Sequence, residues 1–184
     1  LPKFLQIVGT VLQGKQRSYV LIRKTLANEV ISQIRTLTNA RGDDFPGPQP
    51  STLEIANIGT EKEPGVPNLR YDDYNVTDKA DGQRCLLTVL PDGRIFLIDT
   101  NFRVYATGLS LVSSGAGGPV DVVGCLLDGE WVRATKDGKK VSRYYAFDIY
   151  NSKKGRDVTQ LPFFHRDDSV DTRLKQMTSV VSVL

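Results

Sequence analysis

Short apolar runs bounded by turn residues dominate the middle of the chain and are typical of β-strands. Gln83–Leu90 and Ile95–Ile98 are two such runs, and Pro91-Asp92-Gly93 joins them as a hairpin turn. Asp137-Gly138 separates two later runs in the same way. The region from Tyr74 to Tyr150 is therefore predicted to be strand-rich, with mostly antiparallel pairing.

Three further strands are expected around these turns. Tyr74–Asp78 carries β-branched and aromatic residues, so Lys79 is expected at a break between two strands. Val120–Leu127 predicts a buried strand that ends at Asp128-Gly129-Glu130-Trp131. After the turn at Lys136–Lys140, a last strand is predicted from Val141 to Ile149.

Helical spacing is found only near the two ends of the chain. Val30, Ile31, Ile34 and Leu37 predict one helix that ends before Arg41-Gly42, after a strand-like stretch at Ser18–Ile22. Val170, Leu174, Met177 and Val181 predict a second helix, capped by Asp168 or Ser169. Residues 42–72 hold five of the nine prolines and are expected to be irregular. The pattern indicates an α+β fold, rich in antiparallel sheet and with flanking helices.

The composition of the chain indicates the kind of compartment and partner more than it indicates a reaction. The formal net charge of +3 permits an anionic partner without requiring one. Cys85 and Cys125 lie in apolar segments and are expected to be buried free thiols, which suits a reducing compartment. His165 has no second histidine beside it, so a loop residue is favoured over a zinc ligand. No apolar run approaches membrane-spanning length, and no membrane partner is expected.

The motif Lys79-Ala80-Asp81-Gly82, followed by Arg84, has the form of a covalent nucleotidyl-transfer site. A lysine amine attacks phosphorus only when it is neutral, so such a site must favour the neutral amine by burial or by neighbouring cations. Gly82 allows close backbone approach, Asp81 can orient donors or a metal-bound water, and Arg84 offers a planar fork to phosphate or ribose oxygens. The alternative interpretation of the same motif is an exposed turn with a Lys-Asp pair.

Two further motifs follow this one along the chain. Leu127-Asp128-Gly129-Glu130 and Tyr145-Ala146-Phe147-Asp148-Ile149-Tyr150 follow it, and the three together resemble the covalent nucleotidyltransferases, which comprise mRNA capping guanylyltransferases and ATP-dependent polynucleotide ligases. The flanks Phe45–Glu54, Val76–Asp78 and Ile95–Tyr105 resemble the capping enzymes of large cytoplasmic DNA viruses. In the segment Ile95–Tyr105 the family usually has an Arg directly after the residue that corresponds to Asp99. This chain has Thr100 there, and Arg103 is the residue that could make the ribose or phosphate contact of that Arg.

The resemblance implies a fold and a reaction. The fold would be a nucleotidyltransferase domain of the ATP-grasp-like, ligase type, here without the later lysine-rich motif and without the C-terminal OB-fold domain, as in a fragment of a longer polypeptide. The reaction would be formation of a covalent lysyl-GMP from GTP, then transfer of GMP to the 5′-diphosphate end of RNA, with Mg²⁺ or Mn²⁺ bridging phosphate oxygens. Lys79 would be the nucleophile, and the implied nucleotide-binding residues are Asp81, Gly82, Arg84, Glu130 and Phe147. Among these, Arg84 and Glu130 would hold the ribose, Phe147 would stack on the purine, and Glu130 could also ligate the metal.

Several expectations remain open at this point. Residues 1–41 would be a lead-in or the end of a preceding domain, such as an RNA triphosphatase, and residues 42–184 a partial transferase domain. Triphosphatase and methyltransferase domains on the same polypeptide are further expected partners, and the location would be the host cytoplasm or the virion. The alternatives are the adenylylation domain of an ATP-dependent DNA or RNA ligase and a noncatalytic, transferase-like binding module.

Overall fold

The computed structural model describes residues 22–40, 45–72, 74–111 and 121–184. Five strands form one antiparallel sheet in the order β3-β2-β1-β4-β5. Their bounds are β1 Gln83–Val89, β2 Arg94–Asp99, β3 Val104–Ser110, β4 Leu126–Ala134 and β5 Lys140–Asn151. Two α-helices are described, α1 Lys24–Thr38 and α2 Arg173–Val181, with short 3₁₀ turns at Ile55–Asn57 and Lys153–Gly155. The predicted α+β class with antiparallel pairing is confirmed.

Side chains alternate across β1, and each face of the sheet packs under a different helix. Cys85, Leu87 and Val89 belong to one buried core, which Met177 and Val180 of α2 complete. Leu86 and Leu90 belong to the other, which is covered by Val30 and Ile34 of α1. This explains why β1 and β2 read as nearly continuous apolar runs, because both of their faces are buried.

Both predicted hairpins are confirmed. β1 and β2 pair from Cys85 opposite Asp99 to Val89 opposite Ile95, and Gly93 in the connecting turn has a φ of +84°. β4 and β5 pair through a turn in which Gly138 has a φ of +79°. A left-handed φ is disfavoured for residues with a Cβ, so glycine suits both turns.

Two strand predictions were wrong. Tyr74–Asp78 does not form a strand, and Val76 is 99% exposed, so Lys79 precedes one strand and does not separate two. The strand predicted from Val120 begins at Leu126, because residues 121–124 form a turn in which Gly124 has a φ of +74°. Asp128 and Glu130 therefore lie within β4 and not beyond its end.

The first helix is confirmed, and the second begins later than predicted. Thr172, not Asp168 or Ser169, caps α2, and its hydroxyl accepts a hydrogen bond from the Lys175 amide at 3.3 Å. Asp167 accepts instead from the Ser169 amide, and this local turn delays the helix. Residues 45–72 are irregular apart from Ile55–Asn57, as expected.

Other predictions fall partly or wholly outside the described residues. The strand-like stretch at Ser18–Ile22 and the first residue of the strand predicted at Val120–Leu127 belong to this group. Backbone contacts divide the chain into one compact unit of residues 1–46 and 80–184 and a second of residues 47–79. The expected boundary near residue 41 stays a prediction. No helix in the described ranges is long and apolar enough to span a bilayer.

Candidate functional site

Three predicted motifs meet in one row across the sheet. Arg84 of β1 stands opposite Glu130 of β4, and Glu130 stands opposite Tyr145 of β5. Residues directly opposite in an antiparallel pair project from the same face. The sheet therefore brings Arg84, at the end of the first motif, together with Glu130 of the second motif and Tyr145 of the third.

The Arg84 guanidinium is held by a buried carboxylate. Asp128, which is fully buried, accepts hydrogen bonds from Arg84 Nε at 3.1 Å and from Arg84 Nη2 at 2.5 Å. Tyr150 also donates its hydroxyl to Asp128. The bond to Asp128 raises the pKa of Arg84 above its ordinary value, whereas burial and the same carboxylate raise the pKa of Tyr150. A two-point pair of this kind fixes the plane of the guanidinium.

Two aromatic rings flank the same guanidinium. The Arg84 Cζ atom lies 5.0 Å from the centre of the Phe45 ring and 5.9 Å from the centre of the Phe147 ring. Phe147 is the extra residue of a β-bulge, because Asp128 pairs with Asp148 while Gly129 pairs with Ala146. The bulge thus explains how a half-buried Phe147 ring lies beside Arg84.

Glu130 holds Gly82, the last residue of the Lys79-Ala80-Asp81-Gly82 motif, against the sheet. Its Oε1 atom accepts a hydrogen bond from the backbone N–H of Gly82 at 2.9 Å. A Cβ on Gly82 would lie 2.6 Å from the carbonyl oxygen of Trp131, which is too close for any residue other than glycine. The glycine is therefore needed for backbone packing against β4, whatever further use the site makes of it.

Lys79 and Asp81 lie in the segment that leads into β1, and both are exposed. Lys79 is the last residue of the second compact unit, whereas Asp81 belongs to the first. The structure thus groups Gly82, Arg84, Glu130 and Phe147, and the roles predicted for Lys79 and Asp81 stay predictions.

Three residues of this arrangement were not assigned from the sequence. The sequence predicted no role for Asp128, although its two-residue spacing from Glu130 places both on one strand face. Tyr150 ends the third motif, and no contact with Asp128 was predicted for it. Phe45 lies in the irregular, proline-rich region, where no periodicity marks a contact residue.

The passage from β2 to β3 is organised by a buried carboxylate. Asp99 accepts hydrogen bonds from the Asn101 and Arg103 amides, each at 2.9 Å, and from the Tyr105 hydroxyl at 2.9 Å. Thr100 and the Arg103 side chain are exposed at this turn. The turn is built by Asp99, and a ligand contact by Arg103 stays a prediction.

Metal-binding groups are sparse in the described ranges, which contain no cluster of three or more His, Cys, Asp or Glu side chains able to hold an ion. Asp128 already serves Arg84 and Tyr150, so Glu130 is the carboxylate of the row that remains suitable as a ligand. Mg²⁺ commonly uses one or two protein carboxylates together with substrate phosphates and waters. The donor set therefore fits a metal that arrives with a nucleotide. His165 accepts from the Asp167 amide in a loop, as predicted.

The two cysteines are buried free thiols, as predicted. Burial raises the pKa of each, Cys85 and Cys125, to about 12. Thiols of this kind stay protonated at neutral pH and are poor nucleophiles. They belong to the core and not to the chemistry of the site.

Comparison with known proteins agrees with this arrangement. Residues 14–182 match the family described as mRNA capping enzyme, catalytic domain. The chain belongs to that family. It is also 28% identical over 120 residues to a probable mRNA-capping enzyme of Acanthamoeba polyphaga mimivirus, a match that covers 65% of this chain and 9% of that relative. The chain thus corresponds to a small part of that viral protein.

Proposed function

We propose that this chain is part of an mRNA capping guanylyltransferase, of the nucleotidyltransferase class, that works through a lysyl-GMP intermediate. The observation that carries the proposal is the hydrogen bond from the Gly82 amide to Glu130, which holds the last residue of the Lys79-Ala80-Asp81-Gly82 motif beside the row of Arg84 and Glu130. Membership of the capping-enzyme catalytic family supports the same reaction.

In the first step, the neutral amine of Lys79 attacks the α-phosphorus of GTP. A P–N bond forms, the bond from the α-phosphorus to the bridging oxygen breaks, and pyrophosphate leaves. The amine loses a proton to solvent. Such phosphoryl transfers depend mainly on positioning and charge neutralisation.

In the second step, a terminal oxygen of a 5′-diphosphate RNA attacks the phosphorus of lysyl-GMP. A P–O bond forms, the P–N bond breaks, and Lys79 takes up a proton as it leaves. GMP is thereby transferred to the RNA end, and the lysine is regenerated for another cycle.

The residues of the row receive roles in nucleotide binding. Arg84, fixed in plane by Asp128, and Glu130 contact the ribose, while Phe147 stacks on the guanine. Gly82 keeps its backbone against β4, and Asp81 orients groups near the phosphates. Mg²⁺ or Mn²⁺, held partly by Glu130, supplies neutralisation of phosphate charge when it is bound.

We place this reaction in the cytoplasm of an infected host or in the virion. GTP and an RNA 5′ end are its substrates, and triphosphatase and methyltransferase domains on the same polypeptide are its proposed partners. The resemblance of the flanking segments to viral capping enzymes and the similarity to the mimivirus protein support this setting.

The experiment that tests the proposal is a transfer assay with the full-length polypeptide. With α-labelled GTP and magnesium, label is expected on a 5′-diphosphate RNA and not on a 5′-monophosphate RNA. Joining of nicked strands with ATP, without GMP transfer, would identify a ligase instead. A folded protein that transfers neither nucleotide would be a noncatalytic binding module.

A further inference from the structure

The hairpin that joins β4 to β5 carries a local excess of positive charge. Within residues 133–143 there are five cationic side chains and one acidic side chain, which give a formal charge of +4. The whole chain carries +3, so the other residues together carry −1. We call residues 133–143 the basic hairpin.

Four of its cations are available to a ligand. Lys136, Lys139, Lys140 and Arg143 are exposed, and none of them forms an ion pair with a carboxylate in the described part of the chain. The fifth, Arg133, is otherwise engaged, since it lies over the Trp131 ring and donates to Gln83. Unpaired cations gathered on one element create a local potential that attracts polyanions.

The basic hairpin continues the strands of the candidate site. Arg143 stands opposite Val132, and this pair lies two residues further along β4 and β5 than the pair of Glu130 and Tyr145. All four side chains therefore project from the same face of the sheet. Two residues along a strand span about 7 Å. This is close to the spacing of successive phosphates in an extended nucleic acid strand.

Tyr145 is the residue of the row that lies nearest along β5 to the hairpin cation Arg143. Its side chain is 46% exposed, although it stands next to Glu130 on a sheet whose other large residues are mostly buried. An exposed ring beside a line of cations is the usual arrangement for binding single-stranded nucleic acid, since bases stack on the ring while cations contact phosphates. An acidic peptide would use the cations but has no base to stack on Tyr145.

We propose that the basic hairpin and Tyr145 form the path of the RNA segment behind its 5′ end. Arg143 and the three lysines contact phosphates, and Tyr145 stacks on a base beside Glu130. This inference rests on the proposed capping function, because it supplies the surface that would guide the acceptor RNA.

The test uses the full-length polypeptide and a fluorescent, single-stranded 5′-diphosphate RNA, with affinity measured by anisotropy over a range of salt concentrations. The hairpin variant combines K136Q, K139Q, K140Q and R143Q. Its matched control combines K24Q, K154Q, R166Q and K175Q, which remove the same number of exposed lysines and arginines elsewhere. Thermal unfolding of both variants checks that they are folded.

The hairpin variant should bind RNA at least tenfold more weakly at low salt, and its salt slope should fall by about 3, since each phosphate contact to a single strand contributes about 0.7. The control should keep the parent slope. Tyr145→Ala should weaken binding about tenfold with an unchanged slope, because stacking releases no counterions, and Phe164→Ala, another exposed aromatic, should have no effect.

Equal losses in the hairpin and control variants would overturn the proposal in favour of nonspecific charge. Unchanged RNA affinity with lost binding to poly-glutamate would assign the hairpin to an acidic protein and would also overturn it. Covalent GMP attachment, which requires no RNA, separates this inference from the proposed function. GMP attachment with hairpin-independent RNA binding refutes only the hairpin path, whereas hairpin-dependent RNA binding without GMP attachment refutes the capping reaction.

Discussion

Arg84 and Asp128 form a two-point ion pair in which the carboxylate is fully buried and the guanidinium side chain is 22% exposed. The pair joins adjacent strands β1 and β4 at the place where the candidate nucleotide-binding residues meet. Because Tyr150 donates to the same carboxylate, Asp128 organises three strands, β1, β4 and β5, around one charge.

Asp128→Asn should therefore destabilise the protein. The substitution removes the charge of the buried carboxylate that Arg84 bonds at two points, and loss of one member of such a pair costs about 2 kcal/mol or more. Thermal or urea unfolding would measure the loss. Asp92→Asn is the matched control, since it removes a carboxylate from the exposed pair with Arg94 and should cost under about 1 kcal/mol. Equal stability of the two variants would contradict a central role for Asp128.

Two substitutions at Glu130 separate its structural contact from its proposed chemistry. Glu130→Gln keeps an acceptor for the Gly82 amide, so its unfolding temperature should match that of the parent protein. Loss of the charge should nevertheless slow GMP attachment about ten- to hundredfold, as expected for a charge-assisted contact. Glu130→Ala should lower both stability and rate. If Glu130→Gln had the parent rate, Glu130 would serve only to hold Gly82.

Phe147→Ala should weaken GTP binding about tenfold, since stacking of one base on an aromatic ring contributes about 1–3 kcal/mol. Isothermal titration with a nonhydrolysable GTP analogue would measure the affinity. Phe164→Ala, an exposed aromatic in a loop, provides the control and should bind the analogue normally. Unchanged affinity in Phe147→Ala would leave its ring only the contact with Arg84.

The buried thiols give a prediction about alkaline pH. The folded pKa values of Cys85 and Cys125 are raised to about 12 from an ordinary value of 9.0, so the unfolded chain releases these protons first. The stabilisation is fully present below pH 9 and is lost as pH rises toward 12. The free energy of unfolding should fall by up to about 1.4 kcal/mol per pH unit for each thiol in that window. A Cys85→Ala, Cys125→Ala double variant should show a shallower decline, and an identical decline would contradict the assignment.

Much of the sheet could be predicted from the sequence, since apolar runs bounded by Pro-Asp-Gly or Asp-Gly mark strands and turns clearly. The start of β4 could not be predicted, because Val122 is buried in the turn at residues 121–124 and Cys125 is buried between that turn and the strand. An apolar run alone does not distinguish a buried strand from a buried turn. The far end of β4 was missed for the opposite reason, since its last residues are exposed and polar.

The sequence motifs predicted which residues form the candidate site, but they did not predict how those residues contact one another. The sequence identified Arg84, Glu130 and Phe147 but could not reveal the β-bulge that leaves Phe147 beside Arg84, because a bulge depends on pairing with another strand. The partner of Arg84 was also hidden, since Asp128 lies 44 residues away along the chain. Strand register decided both relationships.

The most direct test of the account is intact-protein mass spectrometry of the full-length polypeptide after incubation with magnesium and either GTP or ATP. The account predicts a mass increase corresponding to GMP with GTP, located on Lys79 by peptide mapping and absent from Lys79→Ala. Attachment of AMP, attachment of GMP at another residue, or no attachment to a folded protein would contradict it.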